Sequence, residues 1–181
     1  MRHTQSIFLI ASLSAAAWAA DVARPSPPFT MQRIGAAPLK LSQYRGKVVA
    51  LAFISTACSH CQQLTTELKL IAQDYAGRGV QFLECAFNED ALPSLPEFLT
   101  RFTPPFPVGY APSAAVMSYL EYSPLNARPL YVPHMVFLDR AGVIRADFPG
   151  EAGFFGNANA NIRAQLDKML NAPAGAKKAT K

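Results

Sequence analysis

Several absences narrow the chemistry of this 181-residue chain before any motif is read. Cysteine is scarce: there are three, Cys58, Cys61 and Cys85, too few for a disulfide framework and odd in number, so one is left over. Histidine is equally scarce, and no second Cys or His pair stands at regular spacing from the first, which removes the usual signature of a structural zinc site. Basic residues are scattered, with no stripe alternating with aromatics. The formal net charge of +5 therefore points to no nucleic-acid surface. Beyond one apolar run near the N-terminus nothing approaches membrane-span length, and no internal repeat is evident.

The ends of the chain are read first. "MRHTQSIFLIASLSAAAWAA" has one Arg, an apolar run from Ile7 and an A-x-A site at residues 17–19. That pattern is a secretory signal peptide over residues 1–19, cleaved after Ala19, with an uncleaved membrane anchor as the alternative. Cleavage removes Arg2 alone among the charges, taking +5 to +4. The expected location is therefore exported, periplasmic or otherwise extracytoplasmic, and the mature protein is expected to be soluble. Residues 20–28 form a Pro-rich, extended lead-in, and residues 172–181 a disordered basic tail. Residues 29–171 between them are enough for one domain.

Within that domain "VVALAFI", residues 48–54, reads as a strand buried on both faces. Cys61, Leu64, Leu68, Ile71, Ala72 and Tyr75 follow at helical spacing, stopped by Gly77 and Gly79. "VQFLECAF", residues 80–87, is a second buried strand, so the three elements form a right-handed parallel βαβ unit. A helix is predicted to open at the capping-box spacing of "SLPE", residues 94–97, and another at Ser113. Nine of the fifteen prolines lie from Pro93 to Pro133, consistent with a loop-rich insertion. A hairpin turning at residues 139–142 and a helix carrying Ile162, Leu166, Met169 and Leu170 complete the order.

The chemistry concentrates in "STACSHCQQL". Export favours a disulfide between paired cysteines, yet a C-x-x-C loop is too short to stabilise the fold much by crosslinking. At a helix start, free backbone N–H groups and the positive dipole end favour a Cys58 thiolate. Cys61, one turn on, heads the apolar stripe. This asymmetry makes Cys58 the attacking thiol and Cys61 the resolving thiol. His60 between them either adds a donor and a charge that tune the potential or is a plain exposed residue.

Strand, C-x-x-C helix start, βαβ unit and "YVPHMVFLDRAGVIR" together resemble the thioredoxin superfamily. Within it the resemblance is to the exported redoxin branch of TlpA/ResA-type thiol–disulfide oxidoreductases, over about residues 29–170. The resemblance implies an α/β thioredoxin-like fold, a central mixed sheet flanked by helices with an α-rich insertion before a cis-Pro strand. It implies disulfide exchange with exported proteins that carry disulfides or dithiols, a membrane or soluble redox partner, no cofactor and a monomer. Pro133 is the implied cis proline facing the dithiol, and Val132 offers backbone to a substrate chain, with His134 in the same loop. Three letters depart from the family: Ala57 replaces a Trp, Ala52 a buried acid, and Ser59 a Pro. Ser59 and His60 are thus the redox-tuning candidates, and an x-His pair resembles the more oxidising members.

Two other activities compete. A thiol peroxidase would use Cys58, with Ser55 nearby but no assignable Arg. A copper-binding thioredoxin-fold chaperone would use Cys58, Cys61 and His134. Cys85 reads chiefly as a small buried hydrophobe. Its place at the same sheet edge also brings it within reach of the dithiol, with Glu84 beside it able to supply the carboxylate that Ala52 lacks.

Overall fold

Hydrophobic periodicity builds one sheet with a packed layer on each side. The computed structural model describes residues 23–123 and 129–172. In chain order the strands and helices begin with β1 (Arg24–Pro25), β2 (Thr30–Arg33), β3 (Ala36–Lys40) and β4 (Val48–Ile54). Then come α1 (Ser59–Asp74), β5 (Val80–Ala86), α2 (Ala91–Phe102), β6 (Val108–Tyr110) and α3 (Ser113–Tyr119). The chain closes with β7 (His134–Leu138), β8 (Val143–Phe148) and α4 (Ala158–Asn171). The strands form a mixed sheet in the order β1-β8-β7-β4-β5-β6-β2-β3. The β4–β5 and β5–β6 pairs are parallel and the remaining neighbours antiparallel.

Each central strand sends alternate side chains to opposite faces, so two cores result. One face packs Ala50, Ala52, Ile54, Phe82 and Met135 beneath α1, α2 and α4. The other packs Leu51, Phe53, Leu83, Cys85 and Val136 against α3 and the β2–β3 hairpin. The βαβ unit and the turn at residues 139–142 follow the pattern read from sequence, with Gly142 at φ +72°.

Three regions differ from expectation. The lead-in is not merely extended: Arg24 and Pro25 pair with Ile144 and Val143, which makes it an edge strand. The β2–β3 hairpin turns at Ile34-Gly35, with Gly35 at φ +65°, where a side chain would be strained. Finally, α2 opens at Ala91 rather than at the predicted capping box. Ser94 is spent otherwise, its hydroxyl bonding the Asp90 carbonyl and Thr56. The segment expected to be a signal peptide, residues 1–19, and the expected tail beyond residue 172 lie outside the described residues. Among the described residues no helix is long and apolar enough to cross a membrane.

Candidate active site

Cys58 is the N-cap of α1, in extended conformation, and its sulfur accepts the backbone N–H of Cys61 at 3.4 Å. A thiol oxygen-analogue at an N-cap satisfies a donor that the helix leaves free, which is the cap's usual gain. Cys58 is half-buried and its thiol also lies 3.9 Å from the Val132 carbonyl. Cys61 is wholly buried beneath it. Burial, then contact with Cys58, push the Cys61 thiol well above its ordinary range. All three thiols are free. Exposed Ser59 and His60 stand in the first turn of α1.

The loop before the dithiol is pinned by side chains that sequence reading missed. Asn88 accepts the Thr56 N–H at 3.1 Å and donates to the Thr56 hydroxyl at 2.9 Å. Gln62 donates to the Thr56 carbonyl at 2.8 Å, and Ser94 shares a hydrogen bond with the Thr56 hydroxyl at 2.7 Å. The signal available was weak: a run of small polar residues flanking the motif, with nothing to say that they converge. Across the site the Val132–Pro133 peptide is cis, Pro133 is buried, and Val132 packs on the dithiol-side core.

Strand alternation separates the remaining candidates. His134 pairs in register with Phe53 and lies edge-on to its ring, in the layer opposite the dithiol. Its Nε2 is hydrogen-bonded to Asp147, which Arg24 also reaches at 3.5 Å. The side chain expected in the substrate loop, or as the third copper ligand, is therefore turned away, and only its backbone adjoins Pro133. Cys85 likewise faces the opposite core, so it does not approach the dithiol. Among the described residues no three of His, Cys, Asp and Glu gather as a metal set.

Glu84 goes the other way. It is the register partner of Ala52, and it is fully buried on the dithiol side. Its Oε1 accepts the Thr65 hydroxyl at 2.9 Å, and Thr65 also reaches the Cys61 carbonyl at 3.0 Å. Among the described residues Glu84 Oε2 has no hydrogen-bond partner. Burial pushes the carboxyl up to about 8, only partly opposed by the Thr65 bond.

The mixed sheet, the dithiol at a helix N-cap and the facing cis proline define a thioredoxin-fold thiol–disulfide oxidoreductase. More narrowly, the chain belongs to the redoxin family, whose profile matches residues 22–162. The thiol-disulfide oxidoreductase ResA of Geobacillus kaustophilus is 26% identical over 132 residues, spanning 73% of this chain and 71% of that protein. A thioredoxin-family thiol:disulfide interchange protein from Chlorobium tepidum superposes with a TM-score of 0.68 at 20% identity, covering 84% of this chain and all of the other. A thiol:disulfide interchange protein from Bacteroides sp. gives 0.64 at 17% identity, covering 86% and 92%. At these identities the solved structures bear on the fold.

Proposed function

We propose that the chain exchanges disulfides with exported proteins through the Cys58–Cys61 dithiol, Cys58 attacking and Cys61 resolving. The carrying observation is the difference in access within one helical turn: Cys58 half-exposed at the N-cap, Cys61 fully buried below. Exchange requires a thiolate to reach a partner sulfur, so the accessible thiol forms the mixed disulfide. The second thiol displaces the partner and leaves Cys58 and Cys61 bridged. Val132, whose carbonyl borders Cys58, and cis Pro133 support an extended partner segment through backbone contacts. His134 contributes its position in that loop and not its imidazole. Ser59 and His60 set the potential from the rim, by charge and donor placement near the Cys58 sulfur. The partners are dithiol- or disulfide-carrying exported proteins, with a second redox protein that resets the pair.

Trapping tests the assignment. Cys61→Ser should accumulate a mixed disulfide at Cys58 with a disulfide peptide, seen by mass spectrometry, while Cys58→Ser should form none. A mixed disulfide at Cys61 in Cys58→Ser, formed as fast as at Cys58, would reverse the roles. Export through residues 1–19 is tested by the N-terminus of protein recovered from cells. An N-terminus at residue 20 supports it, and intact Met1 in the cytoplasm contradicts it.

A further inference from the structure

A cavity of about 210 Å³ opens beside the reactive loop, between Thr56 and Ala57 on one side and Asp90 and Glu97 on the other. Phe98 and Phe102 give it an apolar wall. Strand order fixes where it lies. β7 and β5 flank β4 on opposite sides, so the Pro133 loop before β7 and the α2 start after β5 stand on opposite sides of the Cys58 loop. A partner segment that leaves Val132 and crosses Cys58 therefore heads toward this cavity.

The polar groups of Thr56, on the wall nearest Cys58, are spent. Its N–H goes to Asn88, its hydroxyl is shared with Asn88 and Ser94, and its carbonyl accepts from Gln62. The carboxylates opposite are not spent in the same way. Glu97 has no hydrogen bond or ion pair among the described residues. Arg101 lies four residues on, the spacing at which a helix pairs Glu with Arg. Its guanidinium instead sits over the Phe102 ring, 5.1 Å from the centroid. Asp90 is the N-cap residue of α2 but makes no capping bond, and its partner is the neutral Asn88 amide at 2.6 Å. Lys69, which reaches Phe102 from α1, is committed to the Phe102 carbonyl and the Thr103 hydroxyl. On a chain of formal net charge +5 the cavity is a local reversal of sign.

We propose that this cavity is a subsite for a lysine or arginine side chain flanking the partner's cysteine, with Glu97 and Asp90 as the carboxylates that select it. This rests on the dithiol reading above. The aliphatic stem of either side chain packs on Phe98 and Phe102 while its charged head reaches the carboxylates. Charge complementarity decides the occupant. Two carboxylates without a cationic partner attract a cation, and they repel an acidic side chain brought to the same place. Arg101, the cation in the cavity lining, lies over Phe102 and leaves Glu97 open to the incoming chain. Selection thus works by attraction and by repulsion. Glu97 and Asp90 act on which partner docks, and the thiols carry out the exchange.

The test uses reduced full-length protein and three peptides that differ only in the residues flanking a single cysteine: Lys, Gln or Glu. Each cysteine is capped as a disulfide with 2-thiopyridine, so attack releases 2-thiopyridone, which is read by absorbance. A neighbouring charge also changes how any thiol attacks the disulfide, so each rate is divided by that of 2-mercaptoethanol with the same peptide. The Lys peptide should react about fivefold faster than the Gln peptide at low ionic strength, and the Glu peptide more slowly than either. The preference should shrink in about 0.5 M sodium chloride. Glu97→Lys should invert the order, and Glu97→Gln combined with Asp90→Asn should erase it. Both residues are exposed, so these changes spare the core. Equal normalised rates for the three peptides, or a wild-type order kept in either variant, overturns the subsite and leaves the dithiol reading standing. Release by Cys58→Ser as fast as by the wild type overturns the dithiol reading itself.

Discussion

The two faces of the sheet each carry an acid near the same edge, partly exposed on one and fully buried on the other, and they treat it differently. On the face opposite the dithiol, Asp147 is shared by the imidazole of His134 and the guanidinium of Arg24. On the dithiol face, Glu84 has one neutral donor and an orphan oxygen. Asp147 with these partners ties strands together: Arg24 on β1, Asp147 on β8, His134 on β7. A carboxylate without them is held near the balance between charged and neutral. The contrast separates a partly exposed clasp between strands from a fully buried carboxyl governed chiefly by its burial.

Removing the reactive thiol has the largest effect. Cys58→Ser should abolish disulfide exchange, a loss of about a thousandfold or more, measured with a fluorescent disulfide peptide. Cys85→Ala, on the opposite face, should leave exchange at the wild-type rate. Equal losses would erase the distinction between the faces.

Stability against pH sharpens it next. Glu84 holds its proton in the folded state up to about 8, whereas an unfolded Glu ionises near its ordinary value of about 4.3. Between those values the unfolded chain has lost a proton that the folded one keeps, so wild-type stability falls as pH rises and flattens above about 8. Glu84→Gln removes that slope. Its advantage over wild type should widen from pH 4.5 to pH 8 to of order 3 kcal/mol in denaturant melts. A pH-independent difference would contradict the burial of an ionisable carboxyl.

The clasp predicts a smaller loss with a different cause. Asp147→Ala leaves the buried His134 imidazole without its partner while Arg24 keeps the Tyr119 carbonyl and Glu121, and because Asp147 is partly exposed the cost should be about 2 kcal/mol at pH 7 by guanidinium midpoint. Exchange kinetics should not change. The smallest effect is that of Cys85→Ala on stability, about 1 kcal/mol for a small cavity in the same denaturant assay.

How much of this was legible in the sequence depended on periodicity. The all-apolar run of β4, the stripe from Cys61 to Tyr75 and the hairpin turning at Gly142 were each unambiguous, because their patterns match one element alone. The β2–β3 hairpin was not read, since only Met31 and Leu39 of its strand residues are buried and Pro38 looks like a breaker. Pro38 is tolerated because β3 is the edge of the sheet, where a missing donor faces no partner. The three-residue β6 was hidden among prolines.

The site divides the same way. Cys58 and Cys61 were fixed by spacing and by the strand before them. The side of the sheet taken by Glu84, Cys85 and His134 depends on strand register, and a one-residue shift would exchange them. Sequence placed all three near the sheet edge. Register alone sends Glu84 toward the dithiol and Cys85 and His134 away from it.

The central claim is the unequal access of two thiols one helical turn apart. Brief alkylation of fully reduced protein with iodoacetamide, followed by peptide mass spectrometry, reads it directly. Modification should fall on Cys58, with Cys61 and Cys85 left unmodified in the native state. Labelling of Cys61 at a rate equal to or above that of Cys58 would contradict the account.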